Sequence, residues 1–457
     1  MDTGKFTERK TGQVVRIVDR MTQWAFVPAT LPPKGWQLPS SLNPLVNMAG
    51  KRLGKLDGIG RTLPNPNLLL RPLQARESIA SSGIEGTYAT PEELLLFVDN
   101  PRAPKSVNDP ANSFLEVANY AKALQRGWDE LGSKPISLNL IKTMHSLLLT
   151  GVRGKERDPG EFRRLQVCVG HDARYAPPPA QYLADLLDQL QSYMNLSDDQ
   201  SDTDSLVRCF LAHYQFEAIH PFLDGNGRIG RALLALMVGV TQGHSMPWHY
   251  MSPYFERYRR EYYDCLFRVS THGEWTEWVE FCLRGSIEQA NDAIARCEDL
   301  QELRRDYLKR VREDNTTRTH PLIEDLFSHP MITVTQHAKT ASASYPTAKG
   351  DIDLLVKKGV LKQLPKHYPK TFYAPEIFAI AYREQSSIES AISDSRSTAS
   401  LQPPLQSPSG ERHSEPAPLP SPPSTPQAAQ EQLRPDFVRQ REAEAAGAPP
   451  KPWEEPE

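Results

Sequence analysis

The densest chemistry in this 457-residue chain lies in twelve consecutive residues, His220-Pro221-Phe222-Leu223-Asp224-Gly225-Asn226-Gly227-Arg228-Ile229-Gly230-Arg231. His220 is the one group among them able to take up a proton near neutral pH. Asp224 offers a single hard oxygen ligand, and one carboxylate beside phosphate oxygens is how Mg²⁺ is commonly held. Gly225, Asn226 and Gly227 precede a long apolar run that reads as a helix. They therefore fall where backbone N–H groups lack acceptors and the helix dipole is positive, a cradle suited to a diphosphate. Arg228 and Arg231 are three residues apart and share a helix face, and two guanidinium forks fit a polyphosphate. Each feature alone is commonplace in structural roles. A base, a metal ligand, an anion nest and two arginines within twelve residues form a constellation for polyphosphate chemistry.

The elements that must position this segment are mostly helices. Apolar residues recur at three- and four-residue spacing over Pro44–Leu56, Asn67–Ser82, Ala111–Leu131, Leu138–Leu149, Pro179–Tyr193, Asp204–Ala218, Tyr258–Thr271 and Trp275–Asp299. Ile229–Val240 is apolar on nearly every face, as a central buried helix would be. Phe162–Tyr175 breaks the pattern with β-favouring residues around Gly170-His171-Asp172, a short hairpin signal, and the prolines 177–179 end it.

Beyond residue 318 the order changes to helix (Pro321–Phe327), strand (Met331–Val334), helix (Thr335–Ser342), helix (Pro346–Lys358), strand (Val360–Leu364), basic loop (Pro365–Lys370) and strand (Thr371–Ala374). That is the order of a winged helix-turn-helix. The third helix, Pro346–Lys358, carries Asp351 and Asp353 where bases or phosphates would lie, which opposes DNA and favours protein docking or dimerisation. From residue 386 proline and serine dominate and periodicity stops, so 386–457 reads as a disordered tail. The expected fold class is mainly α. Its parts are an N-terminal helical region over 1–110, a catalytic domain over 111–300, the winged module over 318–382 and the tail.

Composition narrows the setting. With 53 basic and 56 acidic residues the formal charge is -3, so nothing drives the whole chain toward nucleic acid or membrane. The polar N-terminus lacks the apolar core of a secretory signal. The five scattered cysteines form no CxxC pair, which argues for reduced thiols in the cytoplasm.

The twelve-residue segment resembles the signature of the Fic family, HxFx(D/E)GNGRxxR, at every fixed position, and the likeness extends from about residue 40 to about 300 through Pro159–Arg163 and Tyr262–Leu266. The resemblance implies an all-helical Fic fold with a β-hairpin flap, and transfer of AMP from ATP to a Ser, Thr or Tyr hydroxyl of a target protein. His220 would deprotonate that hydroxyl, and Asp224 would hold Mg²⁺ on the α- and β-phosphates. Gly225, Asn226 and Gly227 would cradle the phosphates, with Arg228 at the β- and Arg231 at the γ-phosphate. The flap at 162–175 would pin the target segment.

Upstream, Ser81, Glu85 and Gly86 resemble the family's inhibitory motif (S/T)xxxE(G/N). Ser81 and Glu85 are one helical turn apart, and Gly86 permits the helix to end. A carboxylate on Arg231 would take the partner of the γ-phosphate and spoil the in-line pose, so Glu85 is expected within salt-bridge range of Arg231. The intact GNGR with both arginines favours AMP transfer from ATP. AMP removal, transfer of another phosphate-linked group, and a nucleotide-sensing DNA-binding regulator stay open. So do self-modification, a homodimer, and the part played by Tyr262 and Tyr263 at the adenine.

Overall fold

The computed structural model describes residues 1–383 apart from 18–21, 63–65, 107, 133, 153–156, 171–173, 313–317 and 366. The tail at 386–457, the hairpin turn at 171–173 and Lys366 of the basic loop lie outside the described residues. The protein is mainly helical with small antiparallel pairings.

The helices are α1 (Asn43–Thr62), α2 (Asn67–Ile84), α3 (Pro91–Asp99), α4 (Ala111–Leu131), α5 (Leu138–Leu148), α6 (Leu183–Met194), α7 (Ser205–Ile219), α8 (Asn226–Thr241), α9 (Ser252–Arg257), α10 (Arg259–His272) and α11 (Trp275–Val311). α7 and α8 form the centre. Nearly every residue of both is buried: α8 is apolar on nearly every face beyond its first turns, which suits a helix enclosed on every side, and α7 buries Arg208, His213 and Gln215 along with its apolar residues. α11 runs twelve residues past the expected end at Asp299. Leu300, Leu303, Tyr307 and Val311 keep a buried face at helical spacing, and the charged residues between them hide the pattern.

Two expectations are corrected. Residues 1–110 are not helical throughout. β1 (Gly12–Arg16) and β2 (Trp24–Pro28) pair antiparallel with Val14 opposite Phe26, as their β-branched and aromatic runs favour. Second, of the hairpin expected over Phe162–Tyr175 the described residues form one antiparallel bridge. Val169 N–H donates to Tyr175 O at 2.8 Å and Tyr175 N–H to Val169 O at 3.1 Å. Among the described residues the pairing does not extend outward, because neighbouring carbonyls are taken by side chains: Leu165 O accepts from Arg163, and Val167 O and Pro177 O accept from Gln166. The prolines that follow have no N–H to give.

The C-terminal segment contains α12 (Thr319–Ser328), β3 (Met331–Thr333), α13 (Val334–Thr340), α14 (Tyr345–Lys357), β4 (Lys362–Gln363), β5 (Thr371–Tyr373) and α15 (Pro375–Ala381), its sheet in the order β3-β5-β4. Asp351 does not face outward as expected. It is buried, with His337 Nε2 at 3.2 Å and Arg318 Nη2 at 3.4 Å, so it staples α13 to α14. Asp353 is exposed and pairs with Lys349.

A buried ionic knot ties this segment to the helices that frame the centre. Asp292 of α11 pairs with Arg76 of α2 and with Arg296, whose Nη atoms donate to Ile380 O at 2.6 Å and Arg383 O at 2.7 Å. Removing the one acid leaves two guanidiniums without the carboxylate they both pair with, the costly way to break a buried cluster. Asp292→Ala is expected to lower stability by about 3–5 kcal/mol, read as a shift of the denaturant midpoint. A loss below about 1 kcal/mol, the range of surface pairs, would mean the knot is solvated.

Candidate active site

α7 delivers His220. The helix ends at Ile219, and His220 caps it in the left-handed conformation with φ 50, its N–H donating to Phe216 O at 2.9 Å. That geometry is unfavourable for a residue with a Cβ, and one buried guanidinium holds it. Arg163 Nε donates to His220 O at 2.8 Å, Nη2 to Pro178 O at 2.6 Å and Ile219 O at 3.3 Å, and its backbone N–H to Pro221 O at 2.8 Å. The carbonyls that a helix leaves without partners at its C-terminus are thus satisfied by a side chain.

Burial, then the Arg163 charge, pushes the His220 imidazole down to about 4, so the ring is neutral at pH 7. Nδ1 lies 3.4 Å from the Glu217 carbonyl. A carbonyl only accepts, which places the proton on Nδ1 and leaves the Nε2 lone pair free.

The loop from 221 to 225 is clamped from two sides. Asn226 Oδ1 accepts from Phe222 N–H at 2.8 Å and Nδ2 donates to Phe222 O at 2.9 Å. The Asn226 side chain is consumed by the loop, so only its backbone remains for a phosphate, a narrower part than expected. His145 of α5 accepts from Gly160 N–H at Nδ1, donates from Nε2 to Asp224 O at 3.0 Å, and stacks on Phe222 at 3.8 Å between ring centroids. Gly225 opens α8 at φ 77, where a Cβ would stand 3.0 Å from Leu148; only glycine fits without strain.

α8 points its N-terminus at a cavity of about 540 Å³. Of the expected residues, Glu85, His220, Gly227 and Arg231 line it, together with Tyr175, Tyr214, Tyr262, Tyr263 and Phe267. The lining is therefore part charged and part aromatic, the make-up of a site for an anion joined to a flat apolar group. Tyr262 is buried and Tyr263 is 37% exposed; both face the cavity.

Residues separated by 146 positions meet here. Arg231 Nη2 donates to Glu85 Oε1 at 2.7 Å and to Ser81 O at 2.8 Å, and Nε donates to Ser81 Oγ at 2.9 Å. Burial works against the Arg231 charge, but the Glu85 carboxylate beside it raises the guanidinium's pKa. In return Arg231 outweighs burial and lowers that of Glu85. Glu85 lies directly over the α8 N-terminus, since a Cβ on Gly227 would collide with its Oε1.

Arg228 and Asp224 stand apart from this group. Arg228 is buried, with Asp224 Oδ1 at 3.3 Å and Glu116 Oε2 at 3.6 Å. Asp224 Oδ1 also accepts from Gly225 N–H at 2.6 Å, while the side chain is 38% exposed and has Arg157 at 3.9 Å from Oδ2. Among the described residues no group of three or more His, Cys, Asp or Glu could hold a metal ion. One half-exposed carboxylate fits a hydrated Mg²⁺ that arrives on phosphate oxygens, not a protein-built cage.

Sequence reasoning did not find His145, Arg163 or Glu116. Arg163 belongs to the PGEFR run, but its reach to four carbonyls is a tertiary fact. Glu116 and His145 sit inside amphipathic helices where polar residues ordinarily mark the solvent face.

Residues 43–129 match the family model described as Fic/DOC family N-terminal, and residues 135–238 match Fic/DOC family. A probable protein adenylyltransferase of Aquifex aeolicus (strain VF5) is 28% identical over 162 residues, covering 35% of this chain and 47% of that protein. Protein adenylyltransferase Fic of Drosophila grimshawi is 31% identical over 146 residues, 32% of this chain and 28% of that protein. The chain thus spans less than half the length of these relatives. The chain is also similar to a crystal structure of a Fic family protein from Desulfovibrio desulfuricans G20 at 19% identity over 74% of this chain and 97% of that one, with a TM-score of 0.47.

The site makes one titration prediction. The folded pKa of His220 lies below its ordinary 6.5, so the folded state binds fewer protons, and this group costs stability only as pH falls below 6.5. In a histidine-labelled NMR titration the His220 ring should stay neutral from pH 9 to about 5.5, as its midpoint near 4 requires. The resonance, assigned by its loss in His220→Gln, titrating near 6.5 would show instead an open, solvated ring.

Proposed function

We propose that this chain, which carries a Fic domain and its N-terminal companion region, transfers AMP from ATP to a hydroxyl of a protein and is restrained by its own Glu85. The observation that carries the reading is a neutral His220 on the rim of a cavity that also receives the α8 N-terminus and Arg231. The target hydroxyl oxygen attacks the α-phosphorus, the bond to the bridging oxygen breaks, and pyrophosphate leaves. The hydroxyl proton passes to His220 Nε2. The first-turn N–H groups of α8 and the helix dipole hold the phosphates. Asp224 would hold Mg²⁺, which neutralises charge on the phosphate oxygens. The strand-like stretch ending in the Val169–Tyr175 bridge would seat the target segment, with Leu165 exposed beside it.

Restraint follows from occupancy. Arg231 gives Glu85 and Ser81 the donors that a γ-phosphate would need, so bound ATP lies out of line. The C-terminal module is read as a docking or dimerising surface, since α14 turns Asp351 inward and displays an ion pair.

Incubation of the full chain with ATP labelled on the α-phosphate, with and without a cell lysate, tests the reading. His220→Ala should lower label transfer about 10²- to 10⁴-fold while nucleotide affinity changes only a few-fold; undiminished labelling would sink the assignment. Glu85→Gly should raise transfer, seen first as self-labelling. Equal rates would remove the restraint, and slower loss of AMP from labelled target in that variant would favour AMP removal.

A further inference from the structure

Glu217 stands on α7 one turn before His220 and lines the same cavity. Its Oε1 is fully buried and has no hydrogen-bond donor. The atom lies against the backbone of α8, where a Cβ on Gly230 would collide with it. A buried carboxyl oxygen left without a donor is expensive, and more so when ionised.

The charges around it do not remove that cost. Arg231 of α8 is attractive, but its donors go to Ser81 and Glu85. Glu85, at the end of α2, repels it. Tyr262 of α10 faces it with a phenol whose oxygen bonds His213 Nε2 at 2.9 Å. His220, on its own helix, is neutral. Arg174 and Arg259 line the cavity, each with an aromatic ring against its guanidinium, Phe267 and Tyr263 respectively. Burial, eased by Arg231 and worsened by Glu85, lifts the carboxyl to about 7.

A nucleoside triphosphate brings several negative charges into this space, next to an acid that has no donor of its own. Ionised, that acid repels the ligand; protonated, it supplies an O–H. We infer that Glu217 is a positioning residue that meets the anionic nucleotide in its protonated form, its carboxyl O–H donating to a nucleotide oxygen, so that binding takes up one proton from solvent. The inference rests on the cavity being the nucleotide site proposed above.

Calorimetric titration of the full chain with a magnesium-saturated, non-hydrolysable ATP analogue, in two buffers of different ionisation enthalpy, counts the protons taken up. Saturating Mg²⁺ keeps the analogue's own phosphates deprotonated. At pH 7.5 the wild type should take up more than about half a proton, and its affinity should fall with rising pH, approaching about tenfold per unit above pH 8. Glu217→Gln, a neutral donor of the same shape, should bind without uptake, with a flat pH profile and tighter than wild type at pH 8.5. Glu85→Gly should keep the uptake. Wild-type binding without uptake, or unchanged uptake in Glu217→Gln, overturns the inference. Loss of uptake in Glu85→Gly would assign the proton to Glu85 and overturns it also. No binding of the analogue by wild type at any pH would overturn the functional reading itself, and this inference with it.

Discussion

Arg231 is buried to 1% side-chain exposure, and a guanidinium so placed must be answered donor by donor or the site does not form. Three of its contacts go to one helix end: Ser81 Oγ, Ser81 O and Glu85 Oε1. The position of α2 is therefore part of the site, although its sequence lies far upstream. The rest of α2 is built to hold that position. Glu77 accepts from Ser252 and Tyr120, and Arg76 pairs with Asp292 of α11. A helix whose tip alone touched Arg231 could fray; one anchored about two turns earlier, at Arg76 and Glu77, presents its last carboxylate at a fixed height over α8.

On the far side of the site the same logic uses Arg163. His220 must leave α7 in a left-handed turn to put its ring at the cavity, and the carbonyls freed by that turn need donors. One side chain supplies them, from the segment whose bridge borders the cavity. The conformation of His220 and the shape of the neighbouring strand-like stretch are thus set by one residue. His145 and Asn226 do the corresponding work for the loop. Little in the site is left to a mobile side chain.

Much of this was legible beforehand for a physical reason. The helices around the site bury one face or all faces, so their periodicity is in the text, and Ala111–Leu131 agrees residue for residue. The twelve-residue segment is local, so its spacing fixes which groups share the start of α8. The Glu85–Arg231 contact was within reach because both ends carry recognisable patterns. What stayed hidden depends on distant partners. The β1–β2 pair is short, the strand-like stretch near 169 spends its carbonyls on side chains, and Asp351 looks solvent-facing until His337 of the preceding helix is placed against it. Glu116 and Glu217 read as ordinary polar positions on helices, and nothing local says that each faces an arginine or a cavity.

The first turns of α8 tie these threads together. Gly227 and Gly230 lie three residues apart and so on one face, and in each case the space a Cβ would fill is taken by a carboxyl oxygen: Glu85 at the first, Glu217 at the second. A helix N-terminus carries positive potential and favours an anion there by about 0.3–1 kcal/mol at exposed sites, more when partly buried. Two acids from two other helices have been brought to that spot, and only one of them has a cation's donor. The resting site thus holds negative charge where its geometry invites phosphate. For a phosphate to take the place, the paired acid must give up Arg231 and the unpaired acid must lose its own charge. Both are changes in electrostatics at fixed backbone, which is why a rigid, well-clamped site can still be one that has to be opened.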